Sequence, residues 1–303
     1  HLLFSDLRLD NDAQIPANDM MDWMNGREGQ FVLCNAQRQP KITITGTQRL
    51  RIWNACSARY LNLNLPNCEF IVVGTDGGLL ESPAPAVSSL LIAPAERYEV
   101  VVRAKQTGTF PLQSLPYDRH KMMAEFKADV MLLAQVSIEA VEPQLPAQLR
   151  SIAELGPVQA HKKVEFSEMP MNQMMGQLQG MGGLNHDTQH MMSGMFYVNG
   201  RSFDMGRVDM TSQVNQVEEW LISNNSHMDH PFHIHGAQFQ IIEHNLAGSS
   251  TPALYRAWKD TVNLRPNEQV RIRIKQTFKG MRMFHCHILE HESVGMMAQL
   301  MVL

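Results

Sequence analysis

The hydrophobic and polar positions of this 303-residue chain follow the pattern of short β-strands. Residues 41–45 and 61–65 alternate with a period of two, which places successive side chains on opposite faces of a strand. Residues 70–73 form a continuous apolar run before the turn sequence at 76–78, and residues 98–102 predict a further strand. Many short strands separated by glycine and proline predict an all-β chain built of sandwiches or barrels.

Two features interrupt this pattern. Residues 19–24 are compatible with a single helical turn, to which the sequence attaches no function. Pro143, Pro146 and Pro157 surround a polar stretch, which predicts a linker between two domains at residues 1–150 and 151–303. Residues 162–166 then predict the first strand of the second domain.

Composition narrows the function classes. The net charge is -4 and no basic run is present, so the sequence does not predict a nucleic-acid partner. No apolar stretch is long enough to span a bilayer. Of the four cysteines, Cys34, Cys56 and Cys68 are predicted to be buried thiols, although a Cys56–Cys68 or Cys34–Cys68 bridge stays open.

The final stretch of the chain carries the candidate chemistry. A blue copper site requires one thiolate, two imidazoles and a weakly bound thioether. Residues 285–296 contain Cys286, His291 and Met296 at spacings that suit a loop folding over one metal, and His230 is the best candidate for the second imidazole. A lone cysteine or histidine is usually a core residue. The ordered combination of all these donors instead predicts a copper ligand set.

The neighbouring histidines predict a second centre. If residues 281–287 form a strand, His285 and His287 share one face and Cys286 points to the other. His233 and His235 have the same spacing and the same consequence. Two pairs of convergent imidazoles therefore indicate a second, multi-metal centre.

The two motifs, at residues 230–236 and 285–296, resemble the last two copper-binding motifs of the multicopper oxidases, the family of laccases and bacterial cuprous oxidases. Residues 53–59, 74–80 and 94–100 resemble the middle cupredoxin domain of bacterial three-domain members. The resemblance implies two cupredoxin-like Greek-key β-sandwich domains. Residues 1–150 would form a domain without copper ligands and residues 151–303 the copper-binding domain.

The resemblance also implies a role for each motif residue. The implied ligands are His230, Cys286 and His291 with axial Met296 for type 1 copper, His233 for type 2 copper, and His235, His285 and His287 for type 3 copper. Glu292 matches an acidic position that delivers protons during oxygen reduction, and Cys286 would carry electrons between the centres.

The implied activity is that of a copper-dependent oxidase. Type 1 copper would accept electrons from a reductant, Cu(I) or a phenol, and a trinuclear centre would reduce O2 to water, in the periplasm or outside the cell. Family members build that centre from four His-x-His-type motifs, whereas this chain has two. It would therefore need a separate first domain or an oligomer partner. The alternative is a type 1 copper protein that binds copper or transfers electrons without oxidase turnover.

Residues 167–195 are unusually rich in methionine and glycine. Thioethers are soft ligands that favour Cu(I), so the segment is interpreted either as a copper-gathering insert or as an adaptable apolar cover. The residues concerned are Met169, Met171, Met174, Met175, Met181, Met191, Met192 and Met195, with His186 and His190.

Four further residues near the motifs are candidates for a role at the metal centres or for none. Met228 is either an additional copper contact or a plain loop methionine, and Asp260 is either an outer-shell acceptor or a surface charge. His227 and His244 are predicted not to be ligands, because a blue copper site needs only two imidazoles.

Overall fold

The computed structural model describes residues 1–170, 172, 173, 176 and 192–303. Its described strands fall into two halves, which we call the first half (β1–β11) and the second half (β12–β22). The predicted all-β architecture is confirmed, and the two helices that lie wholly within the described residues are short, α1 (Met20–Asn25) and α2 (Leu289–Ser293).

The strands of the first half are short and closely spaced. They are β1 (Leu2–Leu7), β2 (Phe31–Cys34), β3 (Lys41–Ile44), β4 (Arg49–Asn54), β5 (Leu61–Asn64), β6 (Cys68–Thr75), β7 (Gly78–Leu79), β8 (Ser89–Ile92), β9 (Arg97–Ala104), β10 (Gly108–Leu115) and β11 (Met131–Ile138).

The second half repeats this arrangement. Its strands are β12 (Ala160–Glu168), β13 (Phe196–Val198), β14 (Met210–Ser212), β15 (Val217–Asn225), β16 (His230–Ile234), β17 (Phe239–Leu246), β18 (Ser249–Pro252), β19 (Thr261–Leu264), β20 (Glu268–Lys275), β21 (Gly280–Cys286) and β22 (Met297–Val302).

Each half contains two sheets with the same strand order. In the first half the orders are β2-β1-β4-β9-β6-β7 and β3-β11-β10-β5-β8. In the second half they are β13-β12-β15-β20-β17-β18 and β14-β22-β21-β16-β19, so β1 corresponds to β12 and β11 to β22. Non-consecutive neighbours within every sheet are typical of Greek-key sandwiches, as predicted.

Each half has its own apolar core, and the first half also contributes to the second core. Trp220, Phe232 and Phe284 are fully buried between the sheets of the second half. Met24 and Met122 of the first half pack into the same core, which they reach from α1 and from the segment after β10. The two halves are therefore joined by buried side chains as well as by the chain.

The helical turn predicted at residues 19–24 is present as α1. Asp19 caps its first turn, because the Asp19 carboxylate accepts from the Asp22 N–H and the Asp22 carboxylate accepts from the Asp19 N–H. Gly26 ends the helix with φ at 75°, and a Cβ there would lie 2.4 Å from both Ala58 and Ile288. This close approach requires glycine and fixes α1 against the ligand-bearing tail.

The cysteine and linker predictions have different outcomes. All four cysteines are buried and free, so buried thiols are confirmed and the Cys56–Cys68 and Cys34–Cys68 alternatives are wrong. The described residues between β11 and β12 contain neither helix nor strand apart from one isolated bridge at Val141. The division at residues 150 and 151 stays a prediction. Within the described part of the chain, we find no helix with the length and apolarity needed to cross a membrane.

Candidate metal centres

Strands β16 and β21 create both candidate centres. They pair in antiparallel register, with Phe232 opposite Cys286 and His233 opposite His285. Because directly opposed residues share one face of a sheet, Cys286 points into the second core while His233 and His285 point outward. Cys286 and Phe232 are fully buried. The predicted separation of the cysteine from its flanking histidines therefore agrees with the strand register.

The first cluster, which we call the sulfur site, consists of His230, Cys286 and His291. The Cys286 Sγ lies 3.4 Å from the His230 Nδ1 and 3.9 Å from the His291 Nδ1. The two Nδ1 atoms are 3.2 Å apart. Separations of this size allow all three atoms to reach one ion, and all three residues are fully buried.

Contacts behind the sulfur site orient His291. Its Nε2 donates to the Met24 carbonyl at 3.1 Å, which leaves Nδ1 unprotonated and directed at Cys286. The ring of His291 stacks on Phe196 at a centroid distance of 4.1 Å. Sequence reasoning missed Met24, and the only signal was the helical turn at residues 19–24.

The loop after Cys286 closes over the site and brings Met296 to it. The Cys286 N–H donates to the Met296 carbonyl at 3.0 Å, and the Met296 N–H donates to the His291 carbonyl at 2.9 Å. Met296 is fully buried. Gly295 has φ at 130°, and a Cβ there would lie 2.1 Å from the Ser202 Oγ, so this turn requires glycine.

Burial sets the protonation of the sulfur site. It lowers the pKa of His230 to about 3 and the pKa of His291 well below its usual value, so both imidazoles are neutral at pH 7. Burial also raises the pKa of the Cys286 thiol. A metal must therefore displace the thiol proton, whereas the imidazole donors are already free.

The second cluster, which we call the imidazole cluster, lies on the outer face of the same strands. It consists of His233, His235, His285 and His287. The Nε2 atoms of His235 and His285 are 2.9 Å apart, and the ring centroid of His287 lies 5.4 Å from that of His233. Burial lowers the pKa of His285 to about 3 and of His287 to about 4.

Exposure differs within the imidazole cluster. His285 is buried, His233 and His287 are half-buried, and His235 is exposed. A cleft of about 610 Å³ adjoins the cluster and is lined by His287, Arg97, Leu289 and Trp53, among others. Leu289 and Trp53 are about two-fifths exposed, at 42% and 40%. The cluster therefore opens toward solvent, whereas the sulfur site is closed.

A pair of charged residues supports the imidazole cluster from outside. The His233 Nδ1 contacts the Asp260 carbonyl at 3.0 Å and the Thr261 hydroxyl at 2.9 Å. The Asp260 carboxylate accepts two hydrogen bonds from Arg97 of the first half, both at 2.6 Å. Asp260 therefore contacts His233 and is paired with Arg97, which fits the interpretation as an acceptor better than that as a surface charge. Arg97 was missed.

Glu292 lies beside the imidazole cluster. Its Oε2 is 3.3 Å from the His285 Nδ1, which also contacts the Cys286 carbonyl at 2.9 Å. Burial raises the pKa of Glu292, and the opposing effect of His233 is smaller. A carboxyl group with a raised pKa close to the cluster is suited to hold a proton there.

The remaining candidates lie outside both clusters. The Nδ1 atoms of His227 and His244 face the carboxylates of Glu168 and Glu268, which fits their prediction as non-ligands. Met228 is fully buried in the loop before β16.

The methionine-rich segment divides in two. Met169, Met192 and Met195 are buried in the second core, which fits the apolar interpretation for these three. Met171, Met174, Met175, Met181, Met191, His186 and His190 lie outside the described residues.

Comparison with known protein families identifies the family of this chain. A multicopper oxidase family model matches residues 11–128, and a second multicopper oxidase model matches residues 172–303. The chain belongs to the multicopper oxidase family. Copper is accordingly its cofactor, and the cupredoxin fold of both halves is that of the family.

Similar proteins include known multicopper oxidases. A multicopper oxidase of Staphylococcus epidermidis is 31% identical over 92% of this chain, and a Bacillus subtilis laccase is 26% identical over 89%. In each case the match covers 53% of the relative. The solved structure of a Campylobacter jejuni multicopper oxidase, described as a metallo-oxidase, superposes with a TM-score of 0.93 and 46% identity. That match covers 99% of this chain and 63% of the other. The chain thus spans about half the length of the curated relatives that it matches.

Proposed function

We propose that this chain supplies the second and third cupredoxin domains of a copper-dependent oxidase. In this proposal His230, Cys286, His291 and Met296 would hold type 1 copper. His233 would contribute to type 2 copper, and His235, His285 and His287 would contribute to type 3 copper. The bound copper would supply electron transfer from a reductant and the reduction of O2 to water.

The observation that carries this proposal is the register of β16 and β21. It gives one short peptide a thiol on its buried face and imidazoles on its outer face. Cys286 is covalently joined to His285 and His287, so a path of a few bonds connects the sulfur site to the imidazole cluster.

The donor set fits copper. A thiol, two imidazoles and a thioether match the blue copper type, and the neutral imidazoles outside match a second copper centre. When bound, copper supplies one-electron transfer and the chemistry of O2. The protein orients each imidazole through an outer contact, Met24 for His291 and Asp260 for His233. Glu292 holds a proton beside His285.

We propose that a further cupredoxin domain completes the imidazole cluster, either as part of a longer chain or as a separate partner. The cluster opens toward solvent beside the cleft lined by Trp53 and Leu289, and this exposed apolar surface suits a protein contact. The coverage of about half of the relatives' length supports the same conclusion.

For the reductant we propose a low-valent metal ion such as Cu(I), with a phenol as the alternative. The support is the metallo-oxidase of Campylobacter jejuni, which is 46% identical to this chain. We also propose a periplasmic or secreted location, in keeping with the copper enzymes that the sequence resembles.

The proposal is tested by measuring copper per chain, the visible spectrum and the electron paramagnetic resonance (EPR) spectrum on one sample. For the chain combined with its further cupredoxin domain, a blue band with type 1 and type 2 signals, and O2 uptake on addition of Cu(I), is the expected result, whereas the chain alone should show the type 1 signal. A single copper with only a type 1 signal in the combined sample would favour an electron-transfer protein. Copper-loaded protein without a blue band would overturn the assignment of the sulfur site.

A further inference from the structure

Arg119 carries a buried charge next to the sulfur site. It belongs to the segment after β10 in the first half, and only 2% of it is exposed. Its Nε and Nη2 donate to the Glu28 Oε1 at 3.2 and 3.0 Å, and Nη2 also donates to the Asn25 carbonyl. Its Nη1 is buried without a hydrogen-bond partner among the described residues. Burial of a guanidinium costs solvation free energy, so the placement of Arg119 here suggests a functional role.

The contacts of Arg119 reach the residue before His230 and the residue after Met24, which is the acceptor of His291. On one side, its carbonyl accepts from the Asp229 N–H at 3.1 Å, and Asp229 immediately precedes His230. On the other side, its guanidinium holds Asn25, which immediately follows Met24, the acceptor of the His291 Nε2.

Asn25 ties the same elements together a second time. Its side chain donates to the Met122 carbonyl at 3.1 Å and accepts from the Met122 N–H at 2.6 Å. Arg119 thus lies where the segment after β10, the end of α1 and the strand carrying His230 meet. A substitution of the Arg119 side chain removes its hydrogen bonds to Glu28 and to the Asn25 carbonyl, whereas the main-chain contact with Asp229 remains.

Arg119 belongs to a cluster of ion pairs. The Glu28 carboxylate lies 3.0 Å from Arg119, 2.7 Å from Lys121 and 3.5 Å from Arg59, and Arg59 also pairs with Asp6 at 3.0 Å. Three cations therefore share two carboxylates. Burial alone would raise the pKa of Glu28, but the cations, Arg119 foremost, lower it to about 2. The Glu28 carboxylate stays ionised at neutral pH, so Arg119 remains a charged partner of an ionised group.

We propose that Arg119 is a positioning residue of the sulfur site, whose guanidinium supports the His291 contact through Asn25 and Met24 and whose fixed charge favours the reduced state of bound copper. The inference rests on the proposed type 1 copper site. Reduction removes one positive charge from the site, so a nearby cation in a low-dielectric interior destabilises the oxidised form more than the reduced form.

The test uses the copper-loaded full chain and two substitutions. In R119Q the charge and the guanidinium hydrogen bonds to Glu28 and Asn25 are lost, whereas R119K keeps the charge but cannot reproduce the forked hydrogen bonds. We expect R119Q to shift the Cu(II)/Cu(I) ratio at a fixed potential about tenfold toward Cu(II), which is about 60 mV for one electron. We expect R119K to retain most of the potential but to change the type 1 hyperfine splitting.

R103Q is the matched control. Arg103 is a partly exposed arginine of the first half that pairs with Glu69 and Glu142, and its removal should leave both the potential and the hyperfine splitting unchanged. The potential is measured by redox titration of the blue band, and the splitting by EPR. A folded R119Q variant with the potential and splitting of the parent would overturn the inference.

E28Q provides an independent variant if R119Q does not fold. It removes the main counter-charge and leaves Arg119 in place, so the ratio should shift about threefold toward Cu(I), the opposite direction. An unchanged ratio in E28Q would overturn the electrostatic role. A parent without a blue band would instead show that the proposed copper site is wrong, so the two failures are distinguishable.

Discussion

The two halves of the molecule have the same strand order and differ in chemistry. Strands β5 and β10 of the first half stand where β16 and β21 stand in the second. In β5 the inward positions are Leu61 and Leu63, and the outward positions are Asn62 and Asn64. In β16 an inward position is likewise apolar, Phe232, but the outward position carries His233. The fold therefore does not itself bind copper, and the chemistry resides in a few residues placed on it.

The segments that follow β10 and β21 extend this contrast. After β21 the segment is short and carries His287, His291 and Met296. After β10 it is longer and carries no proposed ligand, yet it brings Arg119 and Met122 to the sulfur site of the other half. The second half carries the proposed copper donors, and the first half supplies contacts behind them. Both halves therefore form the sulfur site.

The largest expected effect concerns the thiol that distinguishes the halves. Cys286→Ser should abolish the blue absorption completely, because the thiolate defines this type of site. Cys68→Ser, which changes a buried free thiol of the first half, should leave the absorption intact. The visible spectra of both copper-loaded variants provide the comparison. Blue colour that persists in Cys286→Ser would contradict the ligand assignment.

The next effect separates the two clusters. His235→Ala removes an exposed imidazole of the outer cluster and leaves the buried sulfur site untouched. We expect the affinity for copper beyond the first ion to fall at least about 100-fold with the blue band unchanged, since an inner ligand matters more than an outer contact. Copper titration followed by EPR measures this.

The control for that variant is His161→Ala. The His161 side chain is 74% exposed on β12 and lies outside both clusters. It should bind copper like the parent. Equal copper affinity in the His235 and His161 variants would argue against a second metal centre.

A smaller effect is expected at Glu292. Glu292→Gln keeps the shape of the side chain but removes the ability to transfer a proton beside His285. The rate of O2 uptake should fall at least about tenfold while the copper content and the blue band are retained. Glu139→Gln, at an exposed carboxylate of the first half, is the control. A rate unchanged by Glu292→Gln would remove its proposed role.

The features that could be predicted from the sequence were local strand patterns and short motifs. Alternation along residues 281–287 predicted the opposite faces of Cys286 and His285, because strand geometry fixes side-chain direction. The outer contacts could not be predicted in this way. The His291 contact with Met24 spans 267 residues, and the Arg97 contact with Asp260 spans 163. Such contacts depend on how the halves pack, and the residues involved, a main-chain carbonyl and a common ion pair, have no pattern of their own.

The last expected effect is on stability and again distinguishes the halves. His230 and His285 are buried with pKa values of about 3, whereas the histidines of the first half, His1 and His120, are exposed. An unfolded chain takes up protons at these buried positions near pH 6.5, and the folded chain does not. The unfolded state therefore binds more protons in the window from pH 6.5 to about 3, and the free energy of unfolding of the copper-free chain falls as the pH falls through it.

Between pH 7 and pH 5 the loss should be about 2 kcal/mol for each of these two histidines. Urea unfolding at the two pH values measures it. The double variant His230→Gln/His285→Gln should lose correspondingly less stability on acidification, because glutamine does not titrate. The matched variant His1→Gln/His120→Gln, which removes two exposed imidazoles, should show the same pH dependence as the parent. An equal pH dependence in all three proteins would mean that the buried imidazoles do not remain neutral in the folded chain. The neutral donor set argued for both clusters would then lose its support.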